Sequence, residues 1–131
     1  MMILEYEDDI VVVDAGVMFP EEDMPGIDFA IPDITYLLEN ADRVRAILIT
    51  HGHEDHIGAV PHVLKQLNVP VYASRLTHGL ISVKLREHRL LNDAELIVIE
   101  PHVPFNLGAF TIEYFRVCHS IPDAMGIAIT T

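Results

Sequence analysis

The chain has 131 residues, half of them hydrophobic, with 20 Asp and Glu against 8 Lys and Arg; the formal net charge of −12 repels phosphate backbones on average. That length fits one hydrophobic core, and the apolar half excludes a disordered tail, which combines low hydrophobicity with high net charge. A single cysteine excludes an internal disulfide, no apolar run reaches the roughly 18–20 residues of a membrane span, and the acidic start lacks a signal peptide's basic region, so a cytoplasmic chain without membrane contact is expected.

Residues 3–6 and 10–13 are rich in β-formers and flank the polar Glu7-Asp8-Asp9, which predicts a hairpin. Asp14-Ala15-Gly16 ends its second strand. Residues 17–32 hold three prolines and Gly26 and predict a long irregular loop, a kind more often functional than idle. Asp33 is placed to cap a helix reaching about residue 39, with Ile34, Leu37 and Leu38 on one face. Residues 45–49 form an almost wholly apolar run, as in a strand buried on both faces. A polar stretch through Asp55 precedes a helix over about 56–66, where Pro61 is tolerable only in the first turn or as a kink. A strand at 69–72, a helix at 74–88 and strands at 96–99, 110–118 and 126–130 complete the pattern. Strands alternate with helices early and follow one another late, which predicts an α/β fold, a mixed sheet layered with helices. No repeat or flexible linker marks an internal boundary, so 1–131 reads as one unit.

The segment Thr50-His51-Gly52-His53-Glu54-Asp55-His56-Ile57-Gly58 carries three of the eight histidines within six residues. It follows a buried strand and opens a helix, and in α/β sheets the carboxyl ends of strands are where sites are built. Imidazole and carboxylate are the usual ligands of borderline divalent ions such as zinc. Gly52 permits an unusual backbone angle, so His51 and His53 can point the same way. Asp55 and His56 can serve a second position a few ångströms off, the layout of a two-metal site. A lone His-x-His is equally a surface loop; the longer pattern after a buried strand is far harder to obtain by chance. His119 ends a strand just before Ser120-Ile121-Pro122-Asp123 and is placed to be a third ligand. Asp14 also ends a buried strand; it either orients a ligand imidazole or simply forms a turn. His62, His78 and His88 read as surface or boundary residues of helices, His102 as a loop residue, and Cys118 as a small buried side chain. No nucleophile elbow, phosphate-cradling glycine loop or Cys-x-x-Cys occurs.

Together, the histidine loop, the aspartate after the first apolar strand and the later strand-end histidine resemble the metallo-β-lactamase superfamily. More narrowly the chain is similar to its β-CASP ribonuclease J family. That likeness rests on Val13-Asp14-Ala15-Gly16-Val17-Met18-Phe19-Pro20-Glu21, on Gly26-Ile27-Asp28 with Ile31-Pro32-Asp33, and on His119-Ser120-Ile121-Pro122-Asp123. The resemblance implies the N-terminal half of an αββα fold around two zinc ions. In it His51, His53 and His119 hold one ion, Asp55 and His56 belong to the second and act in catalysis, and Asp14 supports the loop from behind. It implies hydrolysis of RNA, internally and from the 5′ end, by a water activated between the two ions. The family's bridging aspartate and last histidine have no counterpart here. The expectation for these 131 residues is therefore at most one well-held ion, no catalysis alone, and self-association through an uncovered sheet face.

Two other readings stay open: a small-molecule hydrolase of the same fold acting on a lactone or thioester, and a metal-binding module without catalysis. The charge is no obstacle to RNA. Twelve of the 20 acids precede Arg43, the first base, and from there on 8 acids meet 8 bases.

Overall fold

A computed structural model describes residues 1–16, 32–117 and 124–131, with only the backbone of Glu54 and Asp55. The chain opens with the antiparallel pair β1 (Met2–Tyr6) and β2 (Asp9–Val13). A short helix α1 (Thr35–Glu39) and a 3₁₀ turn, Ala41–Arg43, lead to β3 (Val44–Leu48). Then come α2 (Glu54–Ile57), α3 (Val60–Gln66), β4 (Val71–Ala73), α4 (Arg75–Glu87) and β5 (Leu96–Val98). The strands β6 (Phe105–Leu107), β7 (Phe110–Arg116) and β8 (Met125–Thr130) close the order.

Two sheets result. The first has the order β1-β2-β3-β4-β5, parallel from β2 onward, and the second is the antiparallel β6-β7-β8. Period-two alternation along the central strands decides what packs where. Ile10, Val12, Ile47 and Ile49 join Leu37, Val60, Val63, Ile81 and Leu85 from the helices, while Val11, Ala46 and Leu48 join Phe110, Ile112, Tyr114 and Met125 from the second sheet. A strand that serves a core on each face must be apolar at every position, and each fully buried Val or Ile contributes roughly 1.5–3 kcal/mol. The layers are thus helices, five-stranded sheet, three-stranded sheet, a mixed α/β architecture as the strand and helix pattern predicts.

Differences from the sequence pattern have local causes. The helix expected over 56–66 is two helices broken at Gly58 and Ala59, and Pro61 lies in the first turn of α3, where its missing N–H is harmless. Asp33 accepts from the Thr35 N–H at 3.0 Å and from its hydroxyl at 2.6 Å, just ahead of α1. Strand β6 was not foreseen. It is three residues long and exists by pairing with β7 across Gly108-Ala109, where Gly108 adopts φ +59°. The outward side of the second sheet carries Thr111, Glu113, Phe115, Gly126, Ala128 and Thr130, a mixed surface instead of an apolar one.

The two sheets are latched by Asp9. Its carboxylate accepts from Arg45 Nε at 2.5 Å and from the Ala109 N–H at 2.7 Å, and a Cβ on Gly108 would fall 2.3 Å from its Cγ. The Arg45 hydrogen bond, then that of Ala109, holds this carboxyl below its ordinary pKa. Its contribution to stability is therefore present above the unfolded value of about 4 and lost as pH falls through the lower folded value. Asp9→Asn should lower the melting temperature at pH 7, and the gap to the parent should close on titration below pH 4. Gly108→Ala should destabilise at every pH, because it adds positive-φ strain to the clash. Thermal unfolding of the three proteins between pH 3 and 7 checks both, and a gap for Asp9→Asn no smaller at pH 3 than at pH 7 would refute the latch.

Candidate metal centre

The parallel pairing of β2 with β3 sets their carboxyl ends side by side, and the Asp14 N–H donates to the Leu48 carbonyl at 2.8 Å. Ala15 then clips the next elements in place. Its N–H donates to the His56 carbonyl at 2.7 Å, and its own carbonyl accepts from the Ala59 N–H at 2.8 Å. The His53 carbonyl accepts from the His56 and Ile57 N–H groups, which winds α2 directly after His53. The peptide of Thr50 is held from the second sheet, since the Met125 N–H donates to its carbonyl at 2.9 Å.

Asp14 sits at φ +62°, a left-handed conformation that Asp tolerates better than most residues, and is 8 % exposed. Gly108 alone has positive φ among the described glycines, so the unusual backbone angle of this site falls on Asp14 and not on Gly52. A buried carboxylate needs partners. Oδ1 of Asp14 accepts from the Thr50 N–H at 2.8 Å, the Thr50 hydroxyl lies 3.1 and 2.9 Å from Oδ1 and Oδ2, and Nδ1 of His56 lies 2.6 Å from Oδ2.

These contacts set tautomers. A carboxylate only accepts, so His56 carries its proton on Nδ1 and its lone pair on Nε2. The Thr50 hydroxyl gives its proton to Asp14, and its oxygen, 3.0 Å from Nδ1 of His51, is then the acceptor for a proton there. One carboxylate thus fixes two imidazoles, His56 directly and His51 through Thr50. The ring centroids of His51 and His56 lie 3.9 Å apart, and those of His51 and His53 4.7 Å apart. Beneath the cluster the Tyr114 hydroxyl donates to the Tyr72 carbonyl at 3.2 Å; burial first, then the charge of Asp14, pushes its pKa far up, so it stays a neutral donor.

The structure therefore brings together Asp14, His51, His53 and His56. Asp55 lies in α2, but its side chain, like the whole of His119, is outside the described residues. Among the described residues no three His, Cys, Asp or Glu donors converge closely enough to enclose an ion. Three imidazoles with Nδ1 protonated on two of them nevertheless fit a borderline divalent ion, the type that takes nitrogen ligands. Thr50 is the member that sequence reasoning missed; its only signal was a hydroxyl at the first position after a buried strand. The other described histidines stand apart. His62 and His88 pair between α3 and α4 with centroids 5.3 Å apart, His78 lies on α4, and His102 donates its backbone N–H to the Tyr114 carbonyl at 2.8 Å.

Comparison with known proteins adds three findings. The family described as the metallo-β-lactamase superfamily matches residues 1–117. Ribonuclease J 1 of Streptococcus pyogenes serotype M3 is 48% identical over 128 residues, covering 98% of this chain and 23% of the relative. Ribonuclease J2 of Bacillus subtilis is 44% identical over 131 residues, covering 100% of this chain and 24% of the relative. The chain thus spans about a quarter of the length of these relatives. Among solved structures, zinc-bound PqqB from Methylobacterium extorquens aligns with TM-score 0.68 at 12% identity, over 98% of this chain and 48% of that one. The Rm3 metallo-β-lactamase aligns with TM-score 0.63 at 16% identity, over 97% and 48%.

Asp14→Asn keeps size and the left-handed backbone but removes the charge that draws both Nδ1 protons. Zinc affinity, read by competition with a chromophoric chelator, should fall about 10- to 100-fold while the chain stays folded. Thr50→Val should produce a smaller loss, through His51 alone. Unchanged affinity in Asp14→Asn would refute the tautomer role.

Proposed function

Because the chain belongs to the metallo-β-lactamase superfamily, we propose that it is the N-terminal part of the catalytic domain of a ribonuclease J-like enzyme that hydrolyses RNA phosphodiesters with divalent metal. The observation that carries this reading is the Asp14–Thr50–His51–His56 network at the carboxyl ends of β2 and β3. Its support from sequence is similarity to ribonucleases J across the whole chain. His51, His53 and His119 are the residues proposed to hold one ion, and Asp55 and His56 those proposed for a second. Zinc is the ion the nitrogen-rich set favours. When bound, such ions supply the positive charge that acidifies a water and steadies the charge developing on a phosphoryl oxygen.

The chain's own residues do the rest. Asp14 holds a proton on Nδ1 of His56 and, through the Thr50 hydroxyl, on Nδ1 of His51, so that Nε2 carries the lone pair of each. The clip at Ala15 and the peptide of Thr50 fix the loop between two sheets, so the imidazoles need little reordering when an ion or substrate arrives. For the 131 residues alone we propose one ion, held through His51, His53 and His119, and no turnover.

The test is cleavage of a 5′-monophosphorylated oligoribonucleotide by the intact protein that carries this segment, with zinc supplied. His51→Ala with His53→Ala should lower the rate more than about a hundredfold. Cleavage that survives the double substitution would sink the proposal, and turnover of thioesters or lactones but not RNA would favour a small-molecule hydrolase. Elemental analysis of the 131-residue chain should find one ion; two tightly held ions would contradict the stoichiometry.

A further inference from the structure

From α2 to just past α4 the charge of the chain is reversed. Residues 56–92 hold five of the eight bases, Lys65, Arg75, Lys84, Arg86 and Arg89, against a single acid, Glu87; three bases and 19 acids are left for all other positions. Part of this positive charge is crowded together. The His62 imidazole, in ring contact with His88 between α3 and α4, is held below its ordinary pKa by burial first and then by the charges of His88, Lys65 and Lys84. A concentrated basic face on a chain of net −12 is the electrostatic footprint of a polyanion partner.

Where α4 ends, this face opens into a notch of about 360 Å³ lined by Arg86, Arg89, Leu91 and Asn92. Arg86, Arg89 and Asn92 are exposed, and neither guanidinium makes an ion pair or a hydrogen bond among the described residues. Two forks of N–H donors and an amide are thus open to a guest. Among the described residues no acid is on that lining, and Asp93 and Glu95 follow it in the chain.

A base in the last turn of a helix faces the negative pole of the dipole, so Arg86 by itself needs no further reason. Arg89 does. The Leu90 N–H donates to the Leu85 carbonyl at 2.8 Å and the Arg89 N–H to the Arg86 carbonyl at 3.1 Å. These are the two bonds of a Schellman motif, whose left-handed position is usually glycine. Here Arg89 takes it, at φ +60°. The chain accepts backbone strain at the one place that sets a second guanidinium beside the first.

We propose that the Arg86–Arg89 notch docks the phosphodiester backbone of a single-stranded RNA, at the end of the sheet opposite the histidine loop. Helix α4 runs back between the parallel strands β4 and β5, so its 13 residues set the notch about 20 Å from the edge where the loop lies. Guanidinium forks donate in pairs to phosphate oxygens, and such contacts grip a strand without reading its sequence. That the polyanion is RNA rests on the ribonuclease reading above; the charge and geometry do not.

The test is binding of fluorescein-labelled 2′-O-methyl oligouridylate and oligoadenylate to the 131-residue chain, followed by anisotropy over a range of salt. Arg86→Gln with Arg89→Gln should weaken both strands equally, about tenfold. It should also flatten the slope of log affinity against log salt by about 1.4, the share of two single-strand phosphate contacts. Glu87→Gln should tighten binding. Arg89→Gly should weaken it while the melting temperature holds or rises, which an arginine kept only for the fold would not do. Affinity within twofold of the parent and an unchanged salt slope in the double variant would overturn the site and leave the ribonuclease reading standing. A parent chain that self-associates through these arginines and binds neither strand would overturn it as well, with the acidic first third of a second copy as the occupant. Intact protein that binds RNA through both arginines but does not cleave it would uphold the site and defeat the ribonuclease reading.

Discussion

A buried carboxylate at the end of a strand must find donors, and Asp14 finds them only if two other segments come to it. The N–H and hydroxyl of Thr50 arrive from the end of β3, and the ring of His56 arrives from α2. Leaving one of those bonds unmade would cost about 1–3 kcal/mol, a large share of the few kcal/mol that hold a small domain together. The left-handed backbone at Asp14 is the local strain that turns the chain out of β2 and lets Ala15 reach both the His56 carbonyl and the Ala59 N–H. The path of the histidine loop follows from that one set of obligations.

The layers around it explain why the arrangement is rigid. β2 and β3 are apolar on both faces, pressed by helices on one side and by β7 and β8 on the other, so their carboxyl ends have little room to drift. The tie from Met125 to Thr50 adds a hold from the second sheet. Metal-type chemistry needs imidazoles held within fractions of an ångström, and a loop hung between two packed sheets can supply that where a free loop cannot.

The central strands were legible because burial on two faces leaves almost wholly apolar runs, as in residues 45–49. The His51, His53 and His56 cluster was legible because its spacing after such a strand is rare. Asp14 was ambiguous, since a turn-forming aspartate and one gripping a histidine look alike until the partner 42 residues away is seen. Thr50 was invisible for the same reason. The glycine between two histidines suggested the backbone kink, yet the structure spends positive φ on Asp14, where a short polar side chain profits from it. β6 went unread because three residues carry no periodicity, and only its partner strand makes it a strand. The roles given to His119 and to the Asp55 side chain fall outside the described residues.

The latch between Asp9 and Ala109 spans 100 residues of sequence. During synthesis the first hairpin leaves the ribosome with that carboxylate still hydrated, and at about 5–20 residues per second its partner follows only 5–20 seconds later. The hairpin of β6 and β7 can form by itself, but its placement on the first sheet is a late, non-local event that carries the entropy of closing the whole intervening chain. Met125 of the strand that follows is what grips Thr50, so the hold on the histidine loop from the second sheet is likewise a non-local contact, joining residues 75 apart in the chain.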